Sequence, residues 1–188
     1  MSDSKFIVIA APSGSGKTTI VNKLLNDKSL NLSFSISATS RAPRNNEVDG
    51  VNYFFLTNEE FIKKIENKEF VEWEEVYKDN FYGTLTSELE NTINKNLVFD
   101  IDVIGGLNIK KKFPYQTLTI FIKPPSIDEL ENRLRNRNLD SNASIKIRIE
   151  KAKDEILLAD QFDHIVENNV LENSFNEVLE LVQNFINE

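Results

Sequence analysis

The run Ala11-Pro12-Ser13-Gly14-Ser15-Gly16-Lys17-Thr18 has the residue types and spacing of a main-chain anion cradle, one residue away from the Walker A pattern G-x-x-x-x-G-K-[ST]. Its glycines let the backbone curl so that successive N–H groups point at a phosphate, and a following helix adds the positive end of its dipole. Lys17 then falls between a β- and a γ-phosphate, and the Thr18 hydroxyl is available to Mg²⁺. Ala11 stands where the pattern has its first glycine; alanine serves there if its φ is negative. A chance glycine-rich turn can carry similar letters. This one, however, follows a β-rich run and precedes a helical pattern, which is the placement phosphate binding needs. The loop indicates a nucleotide site without saying which phosphoryl transfer follows.

A second set of groups suits an anionic acceptor. In Ser37-Ala38-Thr39-Ser40-Arg41-Ala42-Pro43-Arg44, a proline stiffens a segment carrying Arg41 and Arg44, whose guanidinium forks can hold one phosphate monoester by paired hydrogen bonds. Taken alone, these read first as surface arginines in a loop. Asp100 and Asp102 close the apolar run Leu97-Val98-Phe99-Asp100-Ile101-Asp102, and a carboxylate at the carboxyl end of a buried strand needs a cation or a donor beside it. Glu72 belongs to the acidic stretch Glu72, Glu74, Glu75, where alternation puts Glu72 and Glu74 on one strand face; a solvated face explains it as readily as a site does. Tyr53 and Tyr82 suit either a site or a small aromatic core. Arg133 and Arg137 share a helix face, with Arg148 further on, and the bland account of them is pairing with Glu129 or Glu131 one turn away. His164 is the single histidine and falls in an expected strand, where a structural role suffices.

The elements that must position these groups read as alternating strands and helices. Strands are expected at 5–11, 32–37, 97–102, 117–122 and 163–167. Helices are expected after Gly16, between the third and fourth strands, after Ser126 with Glu129 completing its N-terminal signal, and over 170–186 with Val178, Leu181, Val182 and Phe185 on one face. The run Lys110-Lys111-Lys112 suits a helix end. Such alternation predicts an α/β fold in which a parallel sheet is covered on both faces and binds ligands at its carboxyl edge. Residues of about 39–95 interrupt it with an aromatic, hairpin-like segment read as an inserted mixed β/α subdomain, and a polar stretch near 137–147 reads as a small lid; the core is then about 1–38 and 96–188 of a single domain spanning 1–188.

Composition narrows the class. A chain of 188 residues with 40% hydrophobic and 28% charged residues is an ordinary globular domain. Its formal net charge of −8 argues against wrapping nucleic acid, and no apolar run spans a bilayer. The absence of cysteine excludes disulfides and thiolate chemistry, and the short polar start lacks a leader pattern, so a cytoplasmic location is expected. Monomer and homo-oligomer are both compatible with these features.

Taken with Glu47, Gly50, Tyr53, Glu72-Trp73, Tyr82-Gly83-Thr84 and Asp100-Ile101-Asp102, the loop and the arginine segment resemble guanylate kinases, P-loop nucleoside monophosphate kinases, in order and spacing over nearly the whole chain. The resemblance implies transfer of the γ-phosphate of ATP to GMP or dGMP with Mg²⁺, as in purine nucleotide metabolism and GMP recycling. It implies that Ala11 to Thr18, Arg133 and Asn168 hold ATP, that Thr18 and, through water, Asp100 hold the metal, and that Arg41, Arg44, Tyr53 and Tyr82 hold the GMP phosphate. Ser37, Glu72, Thr84 and Asp102 then surround guanine, while Lys17, Arg41, Arg137 and Arg148 serve the transfer itself. The chemistry agrees independently: guanine presents N1–H and an exocyclic amine, both of which a buried carboxylate accepts, whereas adenine presents a lone pair at N1.

The chain departs from the family pattern at Ala11, at Ile104 where a glutamine is common, at Asn138-Leu139 where Gly-Thr is common, and at Asn169 in place of an aspartate. Two other readings remain: a guanylate-kinase-like module that binds phosphopeptides without catalysis, and a kinase for a phosphorylated ribose. The complete loop through Gly14, Gly16, Lys17 and Thr18 speaks against the first, and Glu72, Thr84 and Asp102 against the second.

Overall fold

The computed structural model describes residues 4–44, 47–90, 95–137 and 141–188. Along the chain, the buried run Phe6–Ala10 is β1, and Lys17–Asn26 forms helix α1. Leu32–Phe34 is β2, Ala38–Thr39 is β3 and Phe54–Phe55 is β4. Helix α2, Asn58–Glu66, starts from a reciprocal cap in which Thr57 and Glu60 satisfy each other's amides. Phe70–Tyr77 (β5) and Asn80–Leu85 (β6) form a hairpin, followed by α3 at Thr86–Glu90. Then come β7 (Asn96–Ile101), α4 (Val103–Lys112), β8 (Thr117–Lys123), α5 (Ile127–Asn136), α6 (Asn142–Leu157), β9 (His164–Glu167) and α7 (Leu171–Asn187).

Among the described residues the larger sheet has the order β2-β7-β1-β8-β9, and every pairing in it is parallel. β1 lies between β7 and β8, with Ala10 level with Ile101 and Phe121. The chain therefore leaves β1 at the point where neighbouring strands diverge in order, where a crevice forms at the carboxyl edge. Ile7 and Ile9 pack one face against Ile20, Leu24, Val178 and Val182, and Phe6 and Val8 pack the other against Phe99 and Ile109. Burial on both faces explains why β1, β7 and β8 read as continuous apolar runs. A smaller sheet, β4-β3-β6-β5, closes over its own core of Ala38, Phe61, Phe70 and Leu85, with the rings of Phe61 and Phe70 stacked at 4.4 Å.

β1, β2 and β7 all end earlier than the expected ranges, β1 by one residue at Ala10, and a captured amide accounts for the other two. β2 stops at Phe34 because the Glu88 carboxylate captures the amide of Ile36 at 2.8 Å, turning the chain toward β3. β7 stops at Ile101 because Asp102 becomes the cap of α4, accepting from the amides of Ile104 and Gly105 at 3.0 and 3.1 Å. Ser126 caps α5 by accepting from the Glu129 amide, as the spacing predicts. No helix of the described residues is long and apolar enough to cross a membrane.

Candidate active site

The loop after β1 is built as its letters require. Gly14 and Gly16 adopt φ of 99° and 91°, whereas Ala11 stays outside the left-handed region and so needs no glycine. Ser15 N–H donates to the Pro12 carbonyl at 3.1 Å, closing the turn, and Gly16 precedes α1 without a side-chain cap. The loop is held from beneath: buried Asn168 donates its Nδ2 to the Ser15 carbonyl at 2.7 Å, so close that a Cβ on Gly16 would lie 2.3 Å from that nitrogen. Lys17 pairs with the Asp100 carboxylate and donates to the Ile101 carbonyl at 2.8 Å. The Thr18 hydroxyl donates to the other Asp100 oxygen at 3.0 Å. Two hard oxygen donors thus meet at the mouth of the loop.

Across the cavity, Arg41 and Arg44 both reach its wall, together with Tyr53 and Tyr82. Arg41 is pinned on every side. Its Nε donates to the Tyr82 hydroxyl at 3.1 Å, its two terminal nitrogens meet the Glu47 carboxylate at 2.7 and 2.8 Å, and its plane lies 5.0 Å from the Tyr53 ring. This bidentate pairing raises the Arg41 pKa and holds the Glu47 carboxyl down at about 2. Glu47 also accepts from the Arg44 amide at 2.7 Å, so a single carboxylate orients the whole arginine segment. Burial, with Asp100 nearby, pushes the Tyr53 hydroxyl up to about 12, and it remains a proton donor at neutral pH.

The lining of the cavity also includes buried acids. Glu72 is only 7% exposed, and its Oε1 accepts from the Thr84 hydroxyl at 2.7 Å. Burial pushes Glu72 up to about 7 against the pull of the Thr84 bond, with Asp102 adding to the rise. Glu155, on α6, is 8% exposed, and burial pushes it to about 7 as well, opposed by Lys151 and helped by Asp102. A carboxyl that holds its proton more tightly when folded stabilises the fold below its unfolded pKa of 4.5 and loses that contribution as pH rises through about 7. The opposite shift of Glu47 acts only as pH falls from 4.5 toward 2. The ligand-free protein is therefore expected to melt at progressively lower temperature from pH 5 to pH 8. Glu155→Gln should flatten that slope and raise the melting temperature at pH 8 by several degrees; scanning calorimetry showing the wild-type slope in this variant would remove the buried acid as its cause.

Arg137 and Arg148 line the same cavity. Arg148 donates to the Ser13 hydroxyl at 2.9 Å and stacks over the Tyr77 ring at 5.6 Å, while Lys151 donates to the Val76 carbonyl at 3.1 Å. Helix α6 is thereby tied to both the loop and the end of β5.

A profile of the guanylate kinase family matches residues 3–185. This chain belongs to the guanylate kinase family. A guanylate kinase of Bacteroides thetaiotaomicron is 53% identical over 186 residues, covering 98% of this chain and 91% of that protein. A guanylate kinase of Porphyromonas gingivalis is 50% identical over 185 residues, covering 97% of this chain and 98% of that one. The crystal structure of guanylate kinase from Anaplasma phagocytophilum matches with a TM-score of 0.79 at 29% identity, covering 97% of this chain and 86% of its own.

Seen as a member of this family, the chain brings most of the residues singled out in its sequence to one cavity: Ala11 to Gly14, Gly16 to Thr18, Ser37, Arg41, Arg44, Tyr53, Glu72, Tyr82, Asp100, Asp102, Arg137 and Arg148. Four do not line it. Ser15 is fully buried in the loop, Thr84 sits behind Glu72, Asn168 clamps the loop from below, and Arg133 is engaged by Glu129 at 2.9 Å and by the Asn168 carbonyl at 3.1 Å. Arg133 thus makes the one-turn pairing that its spacing also predicted, and Asn168 reaches the nucleotide loop through the carbonyl of Ser15. Ile104 supplies an amide to Asp102, and Asn138-Leu139 lie outside the described residues. Glu155 and Tyr77 line the cavity without having been singled out. The signal for Glu155 was present: Ile145, Ile149 and Ala152 set the buried stripe of α6, and residue 155 continues it with an acid where an apolar residue is expected.

Proposed function

We propose that the chain transfers the γ-phosphate of ATP to GMP, and to dGMP, giving ADP and GDP in cytoplasmic purine nucleotide metabolism. The observation that carries this is the polarity of one cavity: an amide loop with Lys17 at one wall, the guanidinium groups of Arg41 and Arg44 at another, and the buried acid Glu72 in its lining. Two anions can face each other there, and only a donor-rich base satisfies the acid.

In this reading Gly14 to Thr18 cradle the ATP phosphates, and Lys17 leaves Asp100 to follow the charge that develops between them. Arg44 with the hydroxyls of Tyr53 and Tyr82 fixes the GMP phosphate, and Arg41, held by Glu47, orients Tyr82 and offers its remaining N–H. A GMP phosphate oxygen attacks the γ-phosphorus in line, the bond to the β-phosphate oxygen breaks, and ADP leaves. The attacking oxygen is already anionic, so no general base is required. Arg137 and Arg148 bring positive charge over the transferring group from the lid, about 137–147, and from α6. The insert, about 39–95, carries the acceptor, and the core, about 1–38 and 96–188, carries the donor. Thr18 and Asp100 form an all-oxygen pair that fits Mg²⁺ and would hold it, Asp100 through water, and the ion would supply neutralisation of the phosphate charge.

A coupled assay of ADP release with ATP and Mg²⁺ tests this directly. Turnover is expected with GMP and dGMP and little with AMP, CMP or UMP. Full activity without any nucleoside monophosphate, or with all of them alike, would overturn it.

A further inference from the structure

Helix α4 carries adjacent glycines, Gly105 and Gly106, and neither has a positive φ. Backbone conformation therefore gives no reason for glycine at either position, and glycine destabilises a helix relative to alanine. The remaining reason is space, and the two residues differ in whose space they leave. A Cβ on Gly106 would lie 2.9 Å from Val8 Cγ1 and 3.5 Å from the Phe162 ring, both in the apolar core. A Cβ on Gly105 would lie 2.8 Å from Glu72 Oε2 and 3.3 Å from Asp102 Oδ2. Both are carboxylates that line the cavity. The Gly105 amide also donates to Asp102 Oδ1 at 3.1 Å.

We propose that Gly105 is the residue that positions the guanine-reading carboxylates: by carrying no side chain it lets Glu72 Oε2 sit against α4, and by its amide it fixes Asp102. The inference rests on the reading of Glu72 as the acceptor of the guanine edge. Glu72 has little freedom to answer a side chain at 105. Its Oε1 is held by Thr84 at 2.7 Å, so a methyl group at 105 either breaks that bond or turns Oε2 into the volume the base would occupy. The carboxylate is the far end of a flexible side chain, so the fold absorbs the shift while the base contact does not. A displacement of about 1 Å at such a contact can cost ~10²-fold.

The test compares Gly105→Ala, Gly106→Ala, Glu72→Asp, Glu72→Gln and the double variant Gly105→Ala/Glu72→Asp, reading KM for GMP, KM for ATP and melting temperature. Gly105→Ala is expected to raise KM for GMP by ~10- to 100-fold while KM for ATP and the melting temperature stay at wild-type values. Gly106→Ala is expected to do the reverse, lowering the melting temperature and leaving KM for GMP alone. In the double variant the shorter acid makes room for the methyl group, so its KM for GMP should be no worse than that of Glu72→Asp alone. A wild-type KM for GMP in Gly105→Ala overturns the proposal, and so does a melting temperature that drops as it does for Gly106→Ala. If Glu72→Gln also leaves KM for GMP unchanged, the underlying assignment of Glu72 fails; if Glu72→Gln raises it and Gly105→Ala does not, only the spacing role fails.

Discussion

Lys17→Ala is expected to lower kcat by ~10³-fold while the protein still folds. In the ligand-free protein the Lys17 ammonium is already desolvated between the Asp100 carboxylate and the Ile101 carbonyl, with its side chain 17% exposed. No large solvent rearrangement is then needed when it turns to the phosphates, which is the condition under which a single positive group counts most in a transition state. Asp100 keeps the Thr18 hydroxyl as a donor in the variant, so the loss to stability is a few degrees rather than collapse. Lys17→Met separates the two effects, because it keeps the packed stem and removes only the charge. Both variants should show the same loss of kcat with native circular dichroism. A Lys17→Met enzyme within ~10-fold of wild type would take the loop assignment down with it.

The loop was legible because its geometry is encoded in neighbouring letters: positive φ at Gly14 and Gly16, a helix start at Lys17, and a buried strand before it. The parallel sheet was legible for a similar reason, since β1, β7 and β8 are apolar at consecutive positions and only burial on both faces permits that. Strand ends were less legible. Glu88 cuts β2 short by capturing an amide from 52 residues away, which nothing in an apolar pattern announces, whereas Asp102 ends β7 locally by capping the helix that follows it.

In the candidate site, what sequence alone could not reveal was which partner each charged group would find first. Arg41 and Arg133 have the same donors, yet Glu47 holds one at the cavity wall and Glu129 holds the other away from it. Asn168 is 152 residues from Gly16, and only the docking of β9 beside β8 brings its amide under the loop. Arg148 and Lys151 look like the solvated face of α6 until Arg148 is found on Ser13 and Lys151 on Val76, which turns that side of the helix toward the cavity.

GMP is expected to exceed AMP by ~10⁴ in kcat/KM, and Glu72→Gln to bring that ratio below ~10². Glu72 is poised for this discrimination by its burial. Burial raises its pKa to about 7, so its protonated form is within reach near neutral pH, and a base presenting two donors draws it into the charged form. A base with a lone pair facing it leaves a buried carboxylate unsatisfied, which is the more costly state. The sign of the pH dependence follows. Protonation removes an acceptor, so the preference for GMP should weaken as pH falls through about 7 and be complete above it. The phosphate of GMP titrates near 6 as well, but AMP carries the same phosphate, so the ratio of the two kcat/KM values isolates the base. Glutamine keeps an acceptor for Thr84 and offers the base edge an amine where it needs a second oxygen, so the ratio in the variant should be low and flat with pH. A wild-type ratio already near one, or a pH-dependent ratio that survives in Glu72→Gln, would move base recognition from Glu72 to another group, with Asp102 and Glu155 the carboxylates beside it.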